Sequence, residues 1–203
     1  MDSLLPGYAR FRATQWPIQR EVFEHLAERG QKPRALVIAC SDSRCDPALV
    51  FDAGPGELFI VRNVANLVPP YAPDGEYHGT SAALEFGVRA LEVPQIVVMG
   101  HAMCGGIAAL MGGVPDTCPD FIRPWMSIAD KARARVWSCD DGSDPVRACE
   151  YEAVRVSLEN LRTFPWISER EAQGSLTLHG AFFDIRTGLL EQLRPDGNFT
   201  PIG

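Results

Sequence analysis

Apolar residues run along this chain in two patterns. Three short stretches, 36–39 (Leu-Val-Ile-Ala), 58–62 and 96–99 (Ile-Val-Val-Met), are apolar almost throughout and rich in β-branched side chains. A longer one spans 175–185. Uninterrupted runs of this length predict strands buried on both faces. Between them lie segments with helical character: 15–29, 81–91, 121–136, 146–164 (Val154, Leu158 and Leu161 in register) and 168–173. Pro17 fits the first turn of its helix, Gly30 is a stop, and Thr80 or Ser81 can cap the helix at 81. The alternation predicts an α/β fold with a mainly parallel central sheet of four strands and helices on both faces. A fifth strand at 189–193 is expected as an antiparallel edge. The stretch 63–79, with Pro69, Pro70, Tyr71, Pro73 and Tyr77, is expected to be a long ordered loop or an arm onto a partner. With no repeat, low-complexity tract or linker, residues 1–203 read as one domain with an N-terminal helical arm at about 10–30.

Composition narrows the function. At 203 residues, 46% hydrophobic and 22% charged, the chain can bury a full core and is not of a disordered class. A net charge of -7 argues against a nucleic-acid surface. No run approaches the roughly 20 apolar residues of a membrane span. Residues 1–20 lack a basic-then-apolar leader, being interrupted by Arg10, Arg12, Trp16 and Arg20, so a cytoplasmic protein is expected.

The chemistry sits where predicted strands stop. The first ends in Cys40, Asp42 and Arg44 on alternate residues; the third ends in His101 and Cys104, followed by Gly105-Gly106 opening a helix. Loops at the carboxyl ends of strands are where open α/β sheets bind ligands. Two thiolates and one imidazole suit zinc, and three protein ligands leave the open position of a catalytic site. The helix after Cys104 would favour its thiolate. Taken singly, each of these residues is also an ordinary core residue. Asp42 beside the metal has two roles open to it: a fourth ligand, or a hydrogen-bond acceptor held away by Arg44. Cys118, Cys139 and Cys149 read as reduced cysteines without a role, and Cys45 is undecided.

Cys40-Ser-Asp-Ser-Arg44, Arg62-Asn-Val-Ala-Asn66 and His101-x-x-Cys-Gly-Gly106 resemble the motifs of the β-class carbonic anhydrases, in that family's order. The resemblance runs from about Gln15 to Asp184. It implies a zinc enzyme interconverting carbon dioxide and bicarbonate, with the metal on Cys40, His101 and Cys104 and a dyad of Asp42 and Arg44. Some members carry a bicarbonate pocket that favours a closed site, made by a tryptophan, an arginine and a tyrosine; Val37, Arg62 and Phe183 stand there, so only the arginine remains. Gln31, Phe59, Val64, Phe86 and Gly105 instead match the substrate pocket of plant-like members. The resemblance therefore implies the open form, with water or hydroxide on the metal and Asp42 paired to Arg44; in the closed form Asp42 would be the fourth ligand. It also implies a homodimer or dimer of dimers with the pocket at the interface. His25, His78 and His179 all stand open as proton carriers.

Two alternatives use the same residues. Hydrolysis of carbon disulfide or carbonyl sulfide would need the same ligands with a different access route. A non-catalytic zinc-binding or thiol-redox module would have no use for Asp42, Arg44 and Gln31, and Cys-x-x-Cys is absent.

Overall fold

In the computed structural model, which describes residues 1–139 and 142–202, Ala35–Cys40 forms β1 with all six residues buried. Around it stand β2 (Leu58–Asn63), β3 (Gln95–His101), β4 (Thr177–Phe183), β5 (Leu190–Leu193) and β6 (Phe199–Pro201). The order across the sheet is β2-β1-β3-β4-β5-β6. The first four are parallel, with Cys40 opposite Asn63 and His101 opposite Phe183. β5 and β6 are antiparallel.

The expected single antiparallel edge strand is thus corrected: β5 is covered by β6, joined through a turn in which Arg194 N donates to Asn198 O at 2.8 Å and Gly197 takes a positive φ. Asp196-Gly197 signalled this hairpin. The strand after it is three residues long and ends in Pro201, which an outermost strand tolerates.

Nine α-helices occur among the described residues: α1 (Leu5–Arg10), α2 (Trp16–Arg29), α3 (Pro47–Val50), α4 (Gly79–Glu85), α5 (Gly105–Gly112), α6 (Ile122–Met126), α7 (Asp130–Trp137), α8 (Pro145–Leu161) and α9 (Pro165–Ala172). The helix expected over 121–136 is broken by a 3-10 turn at Ser127–Ala129. There Ser127 Oγ donates to the Pro124 carbonyl at 2.7 Å, the local competition by which serine weakens helices. The helix expected to reach 164 stops at Leu161, because Phe164 precedes a proline and is extended. α8 begins at the Asp144 cap, whose side chain accepts from Val146 N, with Pro145 in the first turn.

Two layers of core flank the sheet. Leu36, Ile38, Ile96 and Val98 meet α8 and α9 residues such as Val154, Leu161 and Ile167, while Val37, Ala39, Met99 and Ala181 cluster on the other face. The stretch 63–79 is ordered in its first half: Leu67 and Val68 are buried, and Asn160 Nδ2 on α8 donates to Val68 O at 2.8 Å. Its tip is exposed, with Tyr77 wholly in solvent. The N-terminal arm is helical from Leu5, earlier than expected, through a π turn at Phe11–Gln15. No residue of Leu5–Arg29 is buried. None of the described helices is long and apolar enough to cross a membrane.

Candidate metal centre and active site

β2 lies on one side of β1 and β3 on the other, so the chain reverses direction of growth at β1. In an open α/β sheet that switch leaves a crevice beyond the strands' carboxyl ends. Cys40 is the last residue of β1, His101 the last of β3, and Cys104 the cap of α5. Their donor atoms lie within 4.8 Å of one another, and all three residues are buried.

His101 Nδ1 is 2.9 Å from the Ala102 carbonyl oxygen. A carbonyl only accepts, so Nδ1 carries a proton, and in the neutral ring Nε2 keeps its lone pair. That Nε2 is buried with no hydrogen-bond partner. An orphaned buried nitrogen is costly, whereas a metal-binding imidazole is tied to backbone by its far nitrogen in this way. The thiols point to a cation as well. The neighbouring Cys104 thiol brings Cys40 down to about 4, while the hydrogen bond to Cys40, burial and then the Cys40 charge push Cys104 far up. One proton is therefore held between two sulfurs, and a bound divalent cation would let both ionise. A soft donor set of two sulfurs and one nitrogen, this compact, fits zinc.

The Cys40–Asp46 loop is fixed by an arginine. Arg62, on β2, donates from Nε to Cys40 O (2.9 Å), from Nη2 to Asp42 O (2.5 Å) and from Nη1 to Asp46 Oδ2 (2.7 Å). Arg62 thus has a structural role in this chain, apart from the bicarbonate pocket in which the resemblance would place it. Val37 is buried inside the sheet and Phe183 is half-buried.

Asp42 is bound by Arg44 on both oxygens: Oδ1 accepts from Arg44 N and Nε at 2.9 Å each, and Oδ2 from Nη2 at 2.6 Å. Those bonds hold its carboxyl well below the usual carboxylate range. Arg44 Nη2 also reaches Met103 O at 3.2 Å, tying the dyad to the loop between His101 and Cys104. Asp42 is outside the three-donor cluster.

Two participants were not anticipated. Met103 has φ 59, a left-handed turn that non-glycine residues rarely make, and it swings the chain back to Cys104. Glu150, 4% exposed, accepts from Cys104 N at 2.9 Å through Oε1. Arg147 stands 3.8 Å from Glu150 and 2.8 Å from Asp184. The available signal was an acidic residue in register with Ala153, Val154, Ser157, Leu158 and Leu161 on the buried face of α8. Cys45 is buried; burial and the nearby Cys40 charge push its thiol up to about 12, and Sγ lies 3.4 Å from Asp42 O. It packs beside the site without joining the donors.

The residues expected to bind substrate fall into two groups. Val64 and Gly105 belong to the crevice: Val64 follows β2 beside Cys40's partner Asn63, and Gly105 opens α5. Phe59 pairs with Leu36, four residues before Cys40, about 13 Å back along the strand. Phe86 stacks on Phe59 with ring centres 5.9 Å apart and is 52% exposed. Gln31 precedes β1 and is exposed. The structure does not bring these three to the cluster of their own chain.

Comparison with known proteins agrees with this geometry. The profile of the carbonic anhydrase family matches residues 35–190. The chain is 37% identical to beta carbonic anhydrase 3 of Arabidopsis thaliana over 207 residues, covering 99% of this chain and 80% of that protein. Among solved structures it is similar to the β-carbonic anhydrase CcaA (TM-score 0.93, 32% identity, covering 100% of this chain and 92% of the other). It is also similar to a structure from a study of two tetrameric β-carbonic anhydrases of Sordaria macrospora (TM-score 0.81, 29% identity, 98% of each chain).

Proposed function

The chain belongs to the β-carbonic anhydrase family, and from that premise we propose that it interconverts carbon dioxide and bicarbonate at a zinc ion held by Cys40, His101 and Cys104. The observation that carries this reading is the convergence of three buried donors within 4.8 Å, one of them an imidazole nitrogen without a partner.

Bound there, zinc would supply a Lewis acid that brings the deprotonation of water toward neutrality, to roughly 7 in histidine-rich sites and higher beside two thiolates. The rest is work for side chains. Asp42, clamped on both oxygens by Arg44, accepts a hydrogen bond from the attacking water and orients its lone pair toward the carbon. The same clamp holds the carboxylate to Arg44 and away from the three donors that would hold zinc, which supports the open form. Val64 gives apolar carbon dioxide an apolar wall, and Gly105 leaves room at the mouth of α5.

Gln31, Phe59 and Phe86 act in a second copy's site. They lie at the far end of the sheet from their own cluster, and no residue of the arm beside them is fully buried within its own chain. A homodimer, or a dimer of dimers like the tetrameric relatives, would bring them to the neighbouring crevice. There the Gln31 amide can stabilise the oxygen on which charge builds.

The test is carbon dioxide hydration measured alongside zinc content for wild type and Cys40→Ala. The expected result is loss of both together; full activity in a zinc-free Cys40→Ala protein would overturn the assignment. Carbon disulfide and carbonyl sulfide, assayed in parallel on wild type, separate the alternative substrates.

A further inference from the structure

Hydration of carbon dioxide releases one proton per turnover, and near neutral pH a histidine is the side chain suited to carry it. The chain has four histidines, and their positions are not equivalent. His101 is committed to the donor cluster. His25 lies on the arm, in a cavity with Arg34 and Glu57, which precede β1 and β2 at the opposite end of the sheet. His179 sits within β4 opposite Val97, and its Nε2 is 3.0 Å from Thr177 Oγ1, turned further from His101.

His78 differs. It precedes α4 and lines a cavity of about 620 Å³ together with Asn63, Val64, Thr80 and Trp125. Asn63 is the β2 partner of Cys40, and Val64 sits against Gly106, two residues from Cys104. Asn63 Nδ2 reaches Thr80 Oγ1 at 3.1 Å, which ties the start of α4 to the rim of the metal site. The cavity is walled mostly by apolar side chains such as Pro69, Ile122 and Ile128, with Asn63, Thr80, Ser81 and His78 as the polar groups along which waters can bridge, and it has room for several. The His78 side chain is 37% exposed, so the ring meets both cavity and bulk solvent. Its Nε2 is 2.6 Å from Asp74 Oδ1, and Asp74 is itself steadied by Glu76 N at 3.0 Å. The other charged groups bordering His78 are Glu76, Glu85 and Arg89, the last two paired at 2.8 Å.

Resting on the anhydrase reading above, we propose that His78, oriented by Asp74, carries the reaction's proton from the crevice to solvent. The proton leaves the attacking water, crosses the cavity along hydrogen-bonded solvent, resides on the imidazole and passes to buffer. No electrons move, and the histidine ends each cycle neutral. Asp74 is a positioning residue.

The test uses zinc-loaded, full-length protein in dilute and in concentrated buffer. His78→Ala and His78→Gln are expected to lower kcat in dilute buffer by about a hundredfold, the low end of what a positioned proton-transfer group supplies. Their kcat/KM should stay at the wild-type value, and added imidazole should restore kcat. Asp74→Asn should lower kcat in part, and His179→Ala should match wild type. Apart from activity, nitrogen NMR of the zinc-free protein should show neutral His78 protonated on Nε2, with that preference lost in Asp74→Asn.

Wild-type kcat in His78→Gln, or an equal fall in kcat and kcat/KM without imidazole rescue, overturns the proposal. A His78 tautomer indifferent to Asp74→Asn overturns the positioning role. A wild type that fails to hydrate carbon dioxide rejects the anhydrase reading and this one with it, whereas an active wild type with an unaffected His78→Gln rejects only the carrier.

Discussion

At the scale of single residues, the site depends on side chains that hold others still. Glu150 is buried, accepts from the Cys104 amide and, at longer range, faces Arg147. Its carboxylate fixes the loop that presents Cys104. Outer partners of metal ligands typically contribute 10–100-fold in affinity. Glu150→Ala should therefore weaken zinc binding by about that factor in a chelator competition, with Glu150→Gln closer to wild type because it keeps an acceptor. The Asp42–Arg44 pair makes a prediction with a sign. The native carboxyl is depressed, chiefly by Arg44's hydrogen bonds, from an unfolded value of about 3.9. A depressed acid stabilises the fold above the unfolded value, and that contribution is lost as pH falls toward the native one. Urea unfolding of zinc-free wild type and Arg44→Gln should differ by a constant amount above about pH 5, and the gap should shrink progressively as pH falls below about 4 toward the depressed native value. A gap that widens in acid would contradict the pairing.

At the scale of elements, α5 and the turn after β2 approach so closely that only glycine fits between them. A Cβ at Gly106 would meet Val64 Cγ1 at 2.9 Å and Ala65 Cβ at 3.0 Å, and Ala65 is pinned by its positive φ of 63. Overpacking of this kind costs about 1–3 kcal/mol. Gly106→Ala should show that loss in urea unfolding, together with a raised KM as Val64 shifts. The β5–β6 hairpin has an architectural role: β6 covers the edge of β5 with a short strand ending in proline. Removing residues 195–202 should leave the metal site's strands intact but bare an edge prone to pairing with other chains, read as aggregation by light scattering.

At the scale of the whole molecule, the proposed second copy would account both for a largely solvent-facing arm and for the distance of Gln31, Phe59 and Phe86 from their own chain's donors. Leu5, Tyr8, Ile18 and Val22 are exposed on helices that bury no residue of their own. Deleting residues 1–29 should give a monomer by light scattering that still binds zinc yet loses most activity, since the second copy's Gln31, Phe59 and Phe86 no longer reach the site. An active monomer would refute this.

Much of this was legible in the order of residues. Strand cores such as Leu36–Ala39 and Ile96–Met99 declare themselves by continuous apolar character, and a run that stops at a thiol or an imidazole marks its own end as chemical. Class of fold and the candidate donors Cys40, His101 and Cys104 are thus local properties, written within a few residues each. Glu150, the left-handed Met103, the Phe199–Pro201 strand and the separation of Phe59 from Val64 are not local. Each depends on which segments lie side by side after folding, because hydrogen bonds from α8 to a loop 46 residues away and the rung that sets Phe59 beside Leu36 come from packing between elements. Only the tertiary structure decided how the site is braced and which of its walls a single chain can supply.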